Sequence, residues 1–146
     1  MSYSEIISLL PYKEPFLFVD ELQQLDEEGS KGAYHIKEDE YFFAGHFPGN
    51  PIVPGVILTE IMAQIGLVSL GLFLTAPEER DFVRPAFTSA NVDFLAAALP
   101  GDKLLVESKK IYFRFGKLKC SVSCKKDDGT IIAKGELSGM IIKTNQ

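Results

Sequence analysis

Residues Val56 to Leu74 read VILTEIMAQIGLVSLGLFL, and this stretch decides the fold. Only Thr59, Glu60, Gln64 and Ser69 are polar within it. Wound as a helix, it would extend about 28 Å. That length approaches a membrane span, but Glu60 lies near one end and no basic anchors flank it. An ionised carboxylate inside a bilayer is costly, which argues against a span. A helix apolar on all sides is instead expected at the centre of a core.

Working outward, the helix is preceded by Glu38–Gly55, EDEYFFAGHFPGNPIVPG. Pro48, Pro51 and Pro54 forbid a continuous helix or ladder there, and Gly45, Gly49 and Gly55 permit unusual backbone angles. Further upstream, Tyr3 to Leu10 predicts a short helix stopped by Pro11. Phe16 to Leu25 predicts a strand, EEGSKG a turn, and Gly32 to Lys37 a second strand. Downstream, strands are predicted over Phe82–Phe94, Lys103–Phe115, Lys117–Lys126 and Thr130–Lys143, with a hairpin turn at Asp128-Gly129. In Lys117–Lys126, Leu118, Cys120, Val122 and Cys124 share one face, while Lys119, Ser121, Ser123 and Lys125 share the other. Cys120 and Cys124 lie about 13 Å apart along that strand, too far to bond, and are expected as small core residues. One helix can fill one core only if a curved antiparallel sheet wraps it, an α+β arrangement within a single domain over residues 1–146. The sheet would leave open edges, and pairing between two copies would cover them.

The 146 residues are 46% hydrophobic and 24% charged, enough apolar content to exclude disorder as the main state. The net charge of −5 disfavours a general nucleic-acid binder. Charge is uneven: residues 1–102 hold 5 basic and 16 acidic side chains, residues 103–146 hold 10 and 4. Such a gradient either steers an acidic partner or simply lines the solvent faces of strands. Two cysteines make no disulfide framework, so a reducing, cytoplasmic setting is expected. The opening MSYSEIISLLPYKEP has no basic n-region and too short an apolar run for a secretory leader. No zinc, P-loop or GxGxxG spacing occurs.

Two residues stand out chemically. His46 lies between Gly45 and Gly49 in a loop too apolar for an ordinary connection and too rich in proline to move freely. It reads either as a positioned neutral base or as a histidine bonded to local backbone. His35 alternates with apolar neighbours and reads as an ordinary strand histidine. Glu60 is a lone carboxylate on the buried helix. Its pKa should rise or it must find a partner, and Gln64, one turn on, is in reach. It reads either as a proton donor or as a structural acid tied to nearby donors. A base and an acid flanking a dry site suit an elimination. Pro54-Gly55-Val56 opens the helix, so the free amides there suit a carbonyl oxygen gaining negative charge.

The segments PYKEPFLFVDEL, FFAGHFPGNPIVPGVILTEIMAQ and LPGDKLLVE together resemble the 3-hydroxyacyl-[acyl-carrier-protein] dehydratases of the FabZ type, from about Leu9 to Ile142. The resemblance implies a hot-dog fold, with its sheet continued across a homodimer that often assembles into a trimer of dimers. It implies His46 as base and Glu60 as acid, contributed by different protomers, acting on a (3R)-3-hydroxyacyl thioester to give the trans-2-enoyl product. Gly55 and Val56 would hold the thioester carbonyl, and Phe47 and helix residues including Gln64 would line the substrate site. A non-proline cis peptide at His46–Phe47 is implied. No metal and no organic cofactor are implied, the phosphopantetheine arriving on acyl carrier protein. The related FabA group has aspartate where this chain has Glu60, which favours the FabZ side.

One departure bears on the partner. The family usually carries a basic run before the PGD turn, linked to carrier docking, but here the run is Asp93-Phe94-Leu95-Ala96-Ala97-Ala98-Leu99. Docking is then expected from Lys109, Lys110, Arg114, Lys117 and Lys119, and the pathway is expected to be fatty acid synthesis or a related, polyene- or polyketide-type one with a dedicated carrier. Two other readings use the same residues: a hot-dog thioesterase in which Glu60 activates water, and a non-catalytic acyl-binding subunit paired with an active partner.

Overall fold

The computed structural model describes residues 2–144, apart from the side chain of Lys143; Met1, Asn145 and Gln146 lie outside the described residues. A short helix α1 (Tyr3–Leu9) is capped at its start by the Ser2 hydroxyl, which accepts the Glu5 amide at 3.3 Å. Strands β1 (Glu21–Asp26) and β2 (Gly29–His35) follow. A 3₁₀ turn, Tyr41–Ala44, leads into the proline-rich loop. The central helix spans Gly55–Leu74 as α2 (Gly55–Ala63), a π turn (Gln64–Val68) and α3 (Ser69–Leu74). Then come β3 (Val83–Phe94), β4 (Lys103–Arg114), β5 (Lys117–Lys126) and β6 (Ile131–Lys143).

The strands form one antiparallel sheet in the order β1-β2-β4-β5-β6-β3. The central helix packs on its inner face. Ile61, Met62, Ile65, Leu70 and Leu72 of the helix and Leu104, Val106, Leu118 and Ile132 of the sheet are fully buried. The helix therefore lies in a protein core, and its length answers to the sheet it fills. Cys120 and Cys124 are buried and unpaired on the inner face, and burial pushes their thiols up to about 12.

Three local differences from the sequence reading have physical reasons. The segment Phe16–Asp20 lies outside β1: Phe16 and Asp20 are bends, the Phe16 amide closes a turn onto the Lys13 carbonyl at 2.7 Å, and the Phe18 amide donates to the Gln64 side chain at 2.8 Å. The turn before β2 is tighter than predicted. Asp26 Oδ1 accepts the Glu28 and Gly29 amides at 2.8 and 3.2 Å, which frees Ser30 and Lys31 to join the strand. The helix is not regular throughout. At the π turn the Ser69 amide donates to the Gln64 carbonyl, and two hydroxyls add to the turn's bonds: Ser69 Oγ donates to the same carbonyl at 2.7 Å and Ser30 Oγ to the Ile65 carbonyl at 2.6 Å. Gly66 sits in this turn, where a Cβ would lie 3.0 Å from Val122 and 3.1 Å from Ser108. Its small size lets the helix approach the sheet.

The end of the helix is held by groups the sequence did not advertise. Thr75 Oγ1 donates to the Gly71 carbonyl at 2.7 Å. The buried Arg80 guanidinium donates to the Leu72 and Phe73 carbonyls at 2.8 and 2.9 Å, placing positive charge at the negative end of the helix. His35 is exposed, with Nε2 3.0 Å from the Gly101 carbonyl, as an ordinary strand histidine.

Candidate active site

Glu60 projects from α2 toward the chain segment that precedes β1. Gln64 Nε2 donates to Glu60 Oε2 and to the Phe16 carbonyl, both at 3.0 Å, while Gln64 Oε1 accepts the Phe18 amide at 2.8 Å. Gln64 is fully buried and its amide is spent on these three groups. The expectation that Gln64 lines the substrate site therefore gives way to a different role: it orients Glu60 and ties the helix to the N-terminal segment. Burial raises the Glu60 pKa above the usual carboxylate range, and the Gln64 bond offsets part of that rise.

Beside Glu60 lies a cavity of about 220 Å³. Its walls come from Tyr12 and Phe16, from Ala63, Leu67 and Val68 of the helix, and from the sheet edge at Pro85–Phe87, Gly139 and Ile141. A mostly apolar hollow with one carboxyl suits an acyl chain with a reacting polar end. The sheet-edge wall and Tyr12 carried no local signal in the sequence, since they converge only through pairing of β3 with β6 and through the fold of the N-terminal segment.

His46 is placed by its own loop. The Phe47 and Asn50 backbones bond each other at 2.9 and 3.3 Å, and the Ile52 amide donates to the His46 carbonyl at 3.0 Å. The Val53 amide donates to the Ala98 carbonyl at 2.9 Å, pinning the loop to the β3–β4 connection. The His46–Phe47 peptide is cis. His46 Nδ1 lies 3.0 Å from the Ile52 carbonyl, which can only accept. Nδ1 is then the protonated nitrogen and Nε2 keeps its lone pair. The imidazole is half-buried and stacks on Phe47 at 4.2 Å.

The chain does not bring its expected site residues into one pocket. His46 and Phe47 do not line the cavity at Glu60, and Phe47 is 53% exposed. Gly55 and Val56 instead line an open apolar groove with Thr59, Ala90, Val92 and Phe94. Phe87 borders both the groove and the cavity, so the two adjoin. The Ile57 and Leu58 amides are taken by the Pro54 carbonyl, at 2.9 and 3.0 Å. Among the described residues the Gly55 and Val56 amides have no partner, as the first turn of a helix leaves them.

The basic residues of the C-terminal third divide into two places. Lys109 and Lys110 lie mid-strand and border a hollow shared with Asp26, Glu28 and Glu107. Arg114 and Lys117 flank the β4–β5 tip, where Phe115 is 97% exposed and Arg114 covers the Tyr112 ring at 4.5 Å. That tip reaches the cavity wall, because the Ile141 amide donates to the Gly116 carbonyl at 2.7 Å. Lys119 is paired with Glu136 at 3.3 Å.

Known proteins resemble the chain over nearly its whole length. The FabA-like domain matches residues 10–136. A 3-hydroxyacyl-[acyl-carrier-protein] dehydratase FabZ of Acetivibrio thermocellus is 38% identical, covering 97% of this chain and 95% of that protein. Another, of Caldicellulosiruptor saccharolyticus, is 36% identical, covering 92% and 94%. Among solved structures, the dehydratase heterocomplex ApeI:P of Xenorhabdus doucetiae aligns with a TM-score of 0.77 at 16% identity, covering 97% of this chain and 91% of that one. Thioesterase HI1161 of Haemophilus influenzae aligns at 0.70 and 9% identity, covering 100% and 94%, a likeness of fold. The match of the FabA-like domain over residues 10–136 and the identity to these dehydratases over nearly the whole length show that the chain belongs to the FabA-like family as a FabZ-type dehydratase.

Proposed function

We propose that this chain dehydrates (3R)-3-hydroxyacyl thioesters, carried on acyl carrier protein, to trans-2-enoyl thioesters. The working unit is a homodimer in which His46 of one protomer faces Glu60 of the other. One observation carries the reading: a part-buried carboxyl sits in an apolar cavity lined by no base among the described residues, while a half-buried imidazole sits on a proline-rich loop, its Nδ1 bonded to backbone.

His46 Nε2 takes a proton from C2, and the electron pair shifts toward the thioester carbonyl. The free amides of Gly55 and Val56 stabilise the oxygen charge that develops there. Glu60, kept protonated to higher pH by burial, donates its proton to the C3 hydroxyl, which leaves as water while the C2–C3 double bond forms. The proton on His46 then returns to Glu60 through solvent. The step needs only proton transfers, which these two side chains carry.

Support for the dimer comes from β3. It is a 12-residue edge strand whose Phe87 and Phe94 are 47% and 51% exposed, and Val56, in the same groove, is 78% exposed. A long apolar edge of this kind is a template for pairing. A second copy would close the groove, bring its own loop toward the cavity and extend the sheet. The carrier docks at the β4–β5 tip, through Arg114 and Lys117 with Phe115 between them, because an acidic carrier complements that charge beside the cavity wall. A cytoplasmic setting fits the two free buried cysteines.

The test is turnover of a (3R)-3-hydroxyacyl carrier-protein thioester, followed by loss of the mass of water. Wild type should form the enoyl product, and His46→Ala and Glu60→Gln should each lose about 100-fold or more in kcat. Release of free thiol instead would assign a thioesterase, and binding without turnover a non-catalytic subunit. Equal turnover on a housekeeping carrier protein would place the chain in general fatty acid synthesis rather than a specialised pathway.

A further inference from the structure

The cavity at Glu60 contains a second polar group that the dehydration just described does not use. Tyr12 forms part of its wall, and its hydroxyl has no hydrogen-bond partner among the described residues. Burial is the main cause that raises the phenol pKa, and the charge of Glu60 adds to it. Tyr12 is part-buried and lines the same cavity as Glu60, so its hydroxyl is partly withdrawn from water and protonated throughout the physiological range. The ring is braced by Phe16, with centroids 6.4 Å apart.

Tyr34 shows what the fold does with a desolvated phenol that has no task in a site. Its hydroxyl donates to Glu40 at 2.5 Å and accepts from Lys37 Nζ at 3.1 Å. Tyr12 has neither kind of partner, and Gln64 rather than Tyr12 is bonded to Glu60. A part-buried donor at the wall of a hollow is available to an oxygen that occupies it.

We propose that Tyr12 is a catalytic residue of this chain: its O–H donates a hydrogen bond to the C3 oxygen of the substrate as that oxygen leaves. This rests on the dehydratase reading above. Glu60 supplies the proton that completes the water, and Tyr12 supplies a donor that stays protonated while charge builds on the departing oxygen. No proton leaves Tyr12, so the reaction balances as before: C2–H and C3–O break, the C2–C3 double bond forms, and water departs. A saturated chain end would leave the phenol unpaired, so the hydroxyl-bearing carbon is the part of the substrate that belongs beside it.

Tyr12→Phe keeps the ring and removes only the donor. With a 3-hydroxyacyl carrier-protein thioester, kcat should fall roughly 10- to 100-fold while KM changes less than about 3-fold. Hydration of the trans-2-enoyl thioester, the reverse reaction, should fall by the same factor, since the same oxygen is held in both directions. Unchanged melting temperature and an unchanged dissociation constant for a saturated acyl thioester would separate this role from packing. Wild-type kcat in Tyr12→Phe would overturn the proposal, as would a loss confined to KM. Wild type and Glu60→Gln run alongside. If wild type itself fails to dehydrate, the functional reading fails, whereas turnover by wild type with no effect of Tyr12→Phe removes only the role given to Tyr12.

Discussion

Glu60 is held in a place where ionisation is unfavourable, and that has a consequence for stability apart from catalysis. Its folded pKa is raised, so the folded state binds this proton more tightly than the unfolded chain does. Stability is therefore lost as pH rises from the unfolded carboxylate range through the raised folded value. Glu60→Gln removes this term while keeping a group that can bond Gln64. We expect the variant to be inactive yet more stable than wild type at pH 7, with the difference vanishing at pH 3. Urea melts at the two pH values check the sign, and equal stability at pH 7 would contradict a carboxyl desolvated in the folded state. Glu60 was legible in the sequence because a single acid interrupts an apolar run. Tyr12 was not, because its position in PYKEPF says nothing about a cavity built from strands more than 70 residues away.

At the scale of elements, the π turn sets where Gln64 points. Its buried carbonyl accepts both the Ser69 amide, as the π turn requires, and the Ser69 hydroxyl at 2.7 Å. Ser69→Ala should cost about 0.5–1.5 kcal/mol, the net worth of the one hydrogen bond removed, since the backbone amide at 69 still reaches the Gln64 carbonyl. It should also lower kcat, because Gln64 orients Glu60. Paired measurements of urea midpoint and turnover would show both, and a loss of stability without loss of turnover would uncouple the turn from the site. The sequence predicted a helix here and its length closely, since the nearly unbroken apolar run and the Pro54 that opens it are local features. The turn itself depends on Ser30 and the close approach of Gly66 to Val122, which are contacts with other elements.

For the whole molecule, the decisive question is how two chains share a site. If each site takes His46 from one protomer and Glu60 from the other, two dead variants should complement. An equimolar mixture of His46→Ala and Glu60→Gln, unfolded together and refolded, should recover about a quarter of wild-type activity, because half the dimers are mixed and each has one intact site. Recovery near zero would require both residues to act from one chain. Carrier docking gives a second test. Arg114→Glu with Lys117→Glu should raise KM for a carrier-bound substrate about 10-fold or more and leave KM for a small pantetheine thioester unchanged, since rim charges act on encounter with the partner. Lys119→Glu should do less, because Lys119 is already paired with Glu136.

What the sequence by itself determined was the order of elements and the single buried helix, and it singled out His46 and Glu60 as candidates. Each rests on properties carried within a few residues: the apolar run, the strand alternation, the prolines that stiffen the loop. What only the tertiary structure decided was which groups meet. Gln64 bonds backbone 46 and 48 residues away, the β4–β5 tip reaches the cavity through Ile141, and Tyr12 comes to Glu60 across the helix face. The tertiary structure also separates His46 from the Glu60 cavity of its own chain. Such pairings follow from closing one sheet around one helix, where chain distance no longer governs spatial distance. For that reason periodicity could show that a core exists but not which side chains would face its remaining hollow.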